Sequence, residues 1–269
     1  MPFSHNLDIL LEEGQLISEY PILNSLPSRI VPKHHDSLPT FDLLPATRED
    51  IPRLSQIHEI ACLPDNAFKL YFSTPAEFEK RVTSMLEGQV GDPSWTHIKA
   101  VDKQTGELAA WASWNTITDA EIRERDEKAV AKKSVDVEKG ELGKGEFDFP
   151  PGLPMFVQAD TDSWLERWTR GQRHVQCKAL FTDPLFQGQG MGNALVEHGN
   201  RLADAAGLPI FLQASPYGYP IYEKHGFETV QCLDVDLREW AKGARSGDKG
   251  FGNYRFRYMV RLPRTLPAS

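Results

Sequence analysis

The chain of 269 residues is poor in cysteine, in long apolar runs and in positive charge. Its three cysteines, Cys62, Cys177 and Cys232, are too few and too scattered for a disulfide framework or a zinc site. They read as reduced thiols in a reducing compartment, and no metal is expected. No stretch approaches the roughly 20 apolar residues that cross a bilayer. The segment Met1 to Leu11 lacks the basic region and apolar run of a secretory signal, and Pro2 stands where N-myristoylation needs glycine. A cytoplasmic location with no membrane partner is the expectation that remains. The formal charge is −8, which gives no general attraction to nucleic acid; a local patch can still hold an anionic cofactor.

What is present is the composition of a globular protein, with 40% hydrophobic and 25% charged residues. Residues 1–40 hold five prolines and little periodicity, and read as an N-terminal arm with one short helix near Leu7 to Ile17. The regular pattern runs over 41–265. Phe41 to Leu44 reads as a strand. Ile51, Leu54, Ile57, Ile60 and Ala61 then share one helical face, and Phe78, Val82, Met85 and Leu86 share another behind Pro75. His97–Val101 and Leu108–Trp114 flank the turn signal Lys103-Gln104-Thr105-Gly106 and form a hairpin. Residues 119–149 hold ten acids and seven bases with few apolar side chains, so they carry no core role. A third helix is expected from near Thr161, with Trp164, Leu165 and Trp168, stopping at Arg170-Gly171.

The second half is the informative one. A strand over Val175–Phe181 leads into Gln187-Gly188-Gln189-Gly190-Met191-Gly192. A helix follows whose apolar face is Met191, Ala194, Leu195, Leu202 and Ala205. Ile210–Leu212, a short helix at Ile221–His225, and strands at Thr229–Val235 and Tyr254–Leu262 complete the chain. Strand–helix–strand order implies a parallel pair here, and the hairpins imply antiparallel pairing elsewhere. The expected class is therefore α/β, a mixed sheet flanked by helices.

Glycines at 188, 190 and 192 ahead of a helix N-terminus leave backbone N–H groups uncovered, an arrangement suited to a pyrophosphate. It is not a Walker loop, because Met191 follows Gly190 where lysine is required. It is not a Rossmann loop either, because the third glycine comes one residue early.

The pattern Q-x-x-G-x-G, followed by a strand, a helix bearing Tyr222 and then Gly226-Phe227, resembles the GNAT N-acetyltransferase superfamily. The resemblance is strong over 174–235 and weaker over 41–116. It implies a GNAT fold, a mostly antiparallel sheet of about seven strands with a splayed parallel pair at the cofactor site and a charged insertion at 119–172. It also implies acetyl-CoA as co-substrate, with Gln187, Gly188, Gln189, Gly190, Met191, Gly192 and Asn193 at the pyrophosphate. Leu180, Phe181 and Thr182 would lie beside the pantetheine arm, with a main-chain N–H near Phe181 facing the developing oxyanion. Tyr222 would sit near the cofactor sulfur as proton donor. The family's frequent asparagine after the next strand is replaced by Ser215-Pro216, so no contact carries over there.

The general base is not readable. His174 leads the candidates, with Asp160, Asp162 and Glu107 behind it. Cys177 reads as packing. Trp111 and Trp114 read as either an acceptor wall or core. The leading functional expectation is direct acetyl transfer to the amine of a small molecule, with a non-catalytic acyl-CoA-binding module and a protein N-acetyltransferase as alternatives. The expected cost of shortening 122–146 is small, because so charged a segment buries little. Cooperative thermal unfolding of that deletion, close to that of the full chain, is the check.

Overall fold

The computed structural model describes residues 40–71, 74–119, 121–123 and 152–264. The expected N-terminal arm, most of the charged stretch and the last five residues lie outside that set.

Strand β1 (Phe41–Pro45) leads into helix α1 (Ile51–Cys62), the short α2 (Asn66–Lys69) and α3 (Pro75–Gln89). Thr74 caps α3 by accepting the Glu77 N–H at 3.2 Å, and Pro75 opens it where a missing N–H costs nothing. Then come β2 (Trp95–Asp102), β3 (Leu108–Ile117), α4 (Leu153–Thr169), β4 (His174–Thr182), α5 (Met191–Ala206), β5 (Ile210–Ala214), α6 (Tyr219–Lys224), β6 (Glu228–Asp236) and β7 (Asn253–Arg261). The seven strands form one sheet in the order β1-β2-β3-β4-β5-β7-β6. Every neighbouring pair is antiparallel except β4 and β5. The mixed sheet with one parallel pair is thus observed as the sequence implies.

Side chains alternate across the sheet and give it two covered faces. On one, Ala110, Ala112, Trp114, Ile210, Leu212 and Met259 pack against Leu195, Val196 and Ala203 of α5 and against Tyr222 of α6. On the other, Trp111 and Ala179 pack beneath Leu54 and Ile57 of α1 and Val82 and Leu86 of α3. Farther along the same face, Trp164 of α4 stacks on Tyr258, ring centroids 4.6 Å apart, and meets Phe211 edge-on.

Two sequence expectations need correction. Helix α4 starts at Leu153, eight residues before Thr161. Gly152, with φ 137°, precedes it, and Pro154 fits its first turn. Its early residues Leu153 and Val157 are buried against Val235, Tyr254 and Phe256 of the last two strands. Asp160 and Asp162 therefore sit inside the helix rather than ahead of it. The buried face of α5 also runs through Val196, Gly199, Asn200 and Ala203, while Ala205 is exposed. Hydropathy periodicity misses this because Gly199 is chosen for size. Trp111 and Trp114 are core, not pocket wall: both are buried, and the Trp111 indole N–H donates to Leu54 C=O at 2.9 Å.

A Cβ at Gly199 would lie 2.2 Å from the Trp114 indole. Gly199→Ala is therefore expected to destabilise the fold by about 1–3 kcal/mol, because the overpacked ring must move. Urea denaturation measures it, with an unchanged midpoint as the contrary result.

Candidate active site

The site begins with a defect in β4. Ser113 of β3 opposes Ala179, but the next residue, Trp114, opposes Cys177, so Lys178 is an extra residue. A bulge of this kind bends its strand. The parallel pairing of β4 with β5 stops at the same place, having only the two positions Val175↔Ile210 and Gln176↔Phe211. Beyond them the strands splay, as the resemblance implied. Asp183 N–H donates to Ala109 C=O at 2.8 Å, which fixes the phase of the β3–β4 ladder. By the alternation of antiparallel pairing, Phe181 then faces β3, and Leu180 and Thr182 turn their main-chain groups to the open edge. Of the main-chain N–H groups near Phe181, those of Leu180 and Thr182 are therefore the ones on the open edge. Thr182 C=O already accepts from the Gln187 side chain at 3.3 Å.

The strand runs directly into the glycine loop. Asp183 accepts the Leu185 N–H at 2.9 Å and caps the turn Pro184–Phe186. Gly188 and Gly190 adopt φ of 79° and 87°, a region that side chains disfavour, with open space where each Cβ would be. Gly190 is the N-cap of α5. The first intrahelical bond is Ala194 N–H to Gly190 C=O at 3.0 Å, so the N–H groups of 191–193 have no partner within the helix. No acid occupies the first turn. Thr182, Phe186, Gln187, Gly188, Gly190, Met191, Gly192, Asn193 and Ile221 line a cavity of about 220 Å³. Gln189, between Gly188 and Gly190 in sequence, is exposed. Helix α6 supports the loop. A Cβ at Gly192 would meet Ile221 at 3.1 Å, and His225 Nε2 lies 3.1 Å from Asn193 Oδ1. Uncovered donors, a 16-residue helix and an acid-free first turn suit an anionic group such as a pyrophosphate.

Tyr222 is buried and packs edge-on against Phe227. Its hydroxyl lies 3.8 Å from Cys177 Sγ, on the first residue of β4 past the last pair with β5. Burial, and secondarily the neighbouring thiol, hold the phenol well above its ordinary pKa. Burial likewise pushes the Cys177 thiol up to about 12. Both stay protonated near neutrality, so Tyr222 has a proton to give and Cys177 is a poor nucleophile.

His174 is not brought to this place. It opens β4, beside the paired part of β5 and eight residues from Thr182, which is about 26 Å of strand. The ring is buried, with Nδ1 2.7 Å from Gln172 C=O and Nε2 2.9 Å from the Gln176 amide. Of the other base candidates, Glu107 is exposed in the hairpin turn, and Asp162 accepts from Gln158 on the exposed side of α4.

Asp160 is better placed, within a polar cluster that sequence reasoning did not assemble. On the α4 face of the splay, Gln213 of β5 donates to Thr161 at 2.7 Å, and Tyr258 donates to Asp160. Asp65 caps α2 through the Ala67 N–H and accepts from Tyr254 at 2.6 Å. Across the gap, His58 stacks on Phe181 with centroids 3.9 Å apart, and Phe68 joins it to Tyr71. Burial pushes the His58 imidazole down to about 3, so it is neutral in use. The strand alternation of Tyr254, Phe256 and Tyr258 was the one signal for this cluster, since it aims three rings at one face.

Comparison with known proteins places this geometry. Residues 167–235 match the family described as Acetyltransferase (GNAT) domain. Among solved structures, arylalkylamine N-acetyltransferase 2 from Aedes aegypti is similar at 12% identity and a TM-score of 0.54, over 83% of this chain and 99% of that one. A mosquito arylalkylamine N-acetyltransferase-like 5b protein is similar at 15% identity and a TM-score of 0.50, over 82% and 99%. The chain therefore has the GNAT fold, and its loop-bearing segment, residues 167–235, is the part that is similar to the GNAT acetyltransferase domain.

Proposed function

We propose that the protein is an acetyl-CoA-dependent N-acetyltransferase acting on a small amine. The observation that carries the reading is the open β4 edge running without interruption into an anion-binding glycine loop. In this reading the loop from Gln187 to Asn193 holds the pyrophosphate on main-chain N–H groups. The open groups of Leu180 and Thr182 pair with the pantetheine amides as an added strand would, with Phe181 between them. The edge N–H of Leu180 or Thr182 is also the natural donor to the thioester carbonyl oxygen as it gains charge.

A small amine suits the other side of the splay. Aromatic rings of Phe181, His58, Phe68 and Tyr71 offer an apolar wall. The Asp160 carboxylate, held on one oxygen by Tyr258, attracts an ammonium group. The chemistry is direct transfer. After the acceptor loses its ammonium proton to solvent, its nitrogen attacks the thioester carbon. The C–N bond forms and the C–S bond breaks. The sulfur takes the Tyr222 hydroxyl proton, and solvent returns the proton shed by nitrogen to Tyr222. His174 has no part in this scheme.

Gly190→Asp places a side chain and a negative charge in the loop, at a φ of 87°. It is expected to abolish the thermal stabilisation that acetyl-CoA gives the wild type, about 2.7 kcal/mol at a hundredfold excess over Kd. A full shift in a folded variant, or none in the wild type, overturns the cofactor assignment.

Tyr222→Phe keeps the ring and removes only the hydroxyl. With an amine acceptor, kcat is expected to fall by about 10²-fold, the low end for general-acid help, because a thiolate leaves tolerably well without a proton. Acetyl-CoA affinity should stay close to wild type. Equal kcat values, with chemistry rate-limiting, would reduce Tyr222 to packing.

A further inference from the structure

The acid-free helix start has an acid just ahead of it. Asp183, between β4 and the glycine loop, keeps only 4% of its side chain exposed. Its Oδ1 accepts the Leu185 N–H at 2.9 Å, which shapes the turn into the loop. Its Oδ2 receives Arg53 Nη2 at 2.6 Å. Arg53 comes from the first turns of α1, on the opposite sheet face from α5, and its Nε also donates to Leu108 C=O at 3.1 Å. One guanidinium therefore ties the start of β3, the exit of β4 and helix α1 together.

A buried carboxylate at the entrance of an anion site is an electrostatic liability, because little water screens it from the ligand. The same carboxylate is needed for its geometry, since it caps the turn. An arginine supplied from another element resolves the conflict by cancelling the charge while leaving the cap in place.

We propose that Arg53 is a positioning and charge-neutralising residue for the phosphate-binding loop, which acts through Asp183 and does not touch the reacting atoms. The proposal rests on the reading of the loop as the acetyl-CoA phosphate site. Its signature is that harm done by losing Arg53 comes from the carboxylate left behind. Loss of one partner of a buried pair costs far more than loss of both.

The experiment is calorimetric binding of acetyl-CoA to the full chain and four variants. Arg53→Met is expected to weaken binding by about tenfold or more, and Arg53→Lys, which keeps the charge, by less than about threefold. Adding Asp183→Asn to Arg53→Met is expected to restore affinity to within about threefold of wild type, because the amide oxygen can still cap the turn. Asp183→Asn alone should bind as tightly as wild type or more tightly. Should Arg53→Met fail to fold, the double and the two other single variants decide. Wild-type affinity in Arg53→Met overturns the proposal and leaves the loop assignment standing. So does a double variant as weak as Arg53→Met, or a marked loss in Asp183→Asn. Absence of acetyl-CoA binding by the wild type removes the loop assignment and this proposal with it.

Discussion

Strand β4 cannot serve two neighbours along its whole length, and the arrangement of the site follows from that. The extra residue Lys178 keeps β4 on the β3 ladder but bends it away from β5 after two paired positions. Main-chain donors and acceptors in a sheet interior are costly to leave unpaired. Here the ladder beyond Gln176 leaves those of Leu180 and Thr182 at an edge, where another chain of amides can pair with them. Strand β5 does not lose its order in return, because β7 pairs with it from Ile210 to Ala214. The gap is thus held open by two well-anchored walls.

The bend also decides which chemistry each face meets. Alternation puts Tyr222 and the glycine loop on the α5–α6 side, and Phe181, Gln213, Tyr258 and Asp160 on the α1–α4 side. The buried phenols are kept protonated in both places for related reasons. Burial acts first, then the thiol of Cys177 at Tyr222 and the carboxylates of Asp65 and Asp160 at Tyr254 and Tyr258. In the proposed reaction one of these phenols faces a leaving sulfur, whereas the others only orient carboxylates.

Some of this was legible in the sequence and some was not. The sheet class and parallel pair followed from the order of strands and helices, and the loop from the spacing of Gly188, Gly190 and Gly192. Local patterns announce local geometry, and a strand-to-helix turn is local. The start of α4 is not legible because its first residues, Leu153 to Val157, are apolar throughout and show no helical periodicity, although Gly152 and Pro154 mark the boundary. The bulge at Lys178 left no trace, since it is a register relation between two strands. His174 drew notice by its residue type and its strand, but position along a strand matters as much as membership. Six residues separate it from Leu180, and both ring nitrogens are engaged. The cluster of Asp65, Asp160, Tyr254 and Tyr258 includes a hydrogen bond between residues 189 apart in sequence, which no window of composition sees.

Charge shows the same division. The net charge of −8 argues against anionic partners in general, yet the proposed ligand is an anion. The resolution lies in distribution. An anion site built from main-chain N–H groups needs no lysine or arginine of its own, only the exclusion of carboxylates from its neighbourhood. The first turn of α5 meets that condition by composition, with no acid among its residues. The junction before it cannot, because the turn Pro184–Phe186 is capped by Asp183. A cation brought in from α1 meets the condition there instead. Overall acidity and local anion binding are therefore compatible, and the dipole of a long helix outweighs the global charge at a distance of a few ångströms.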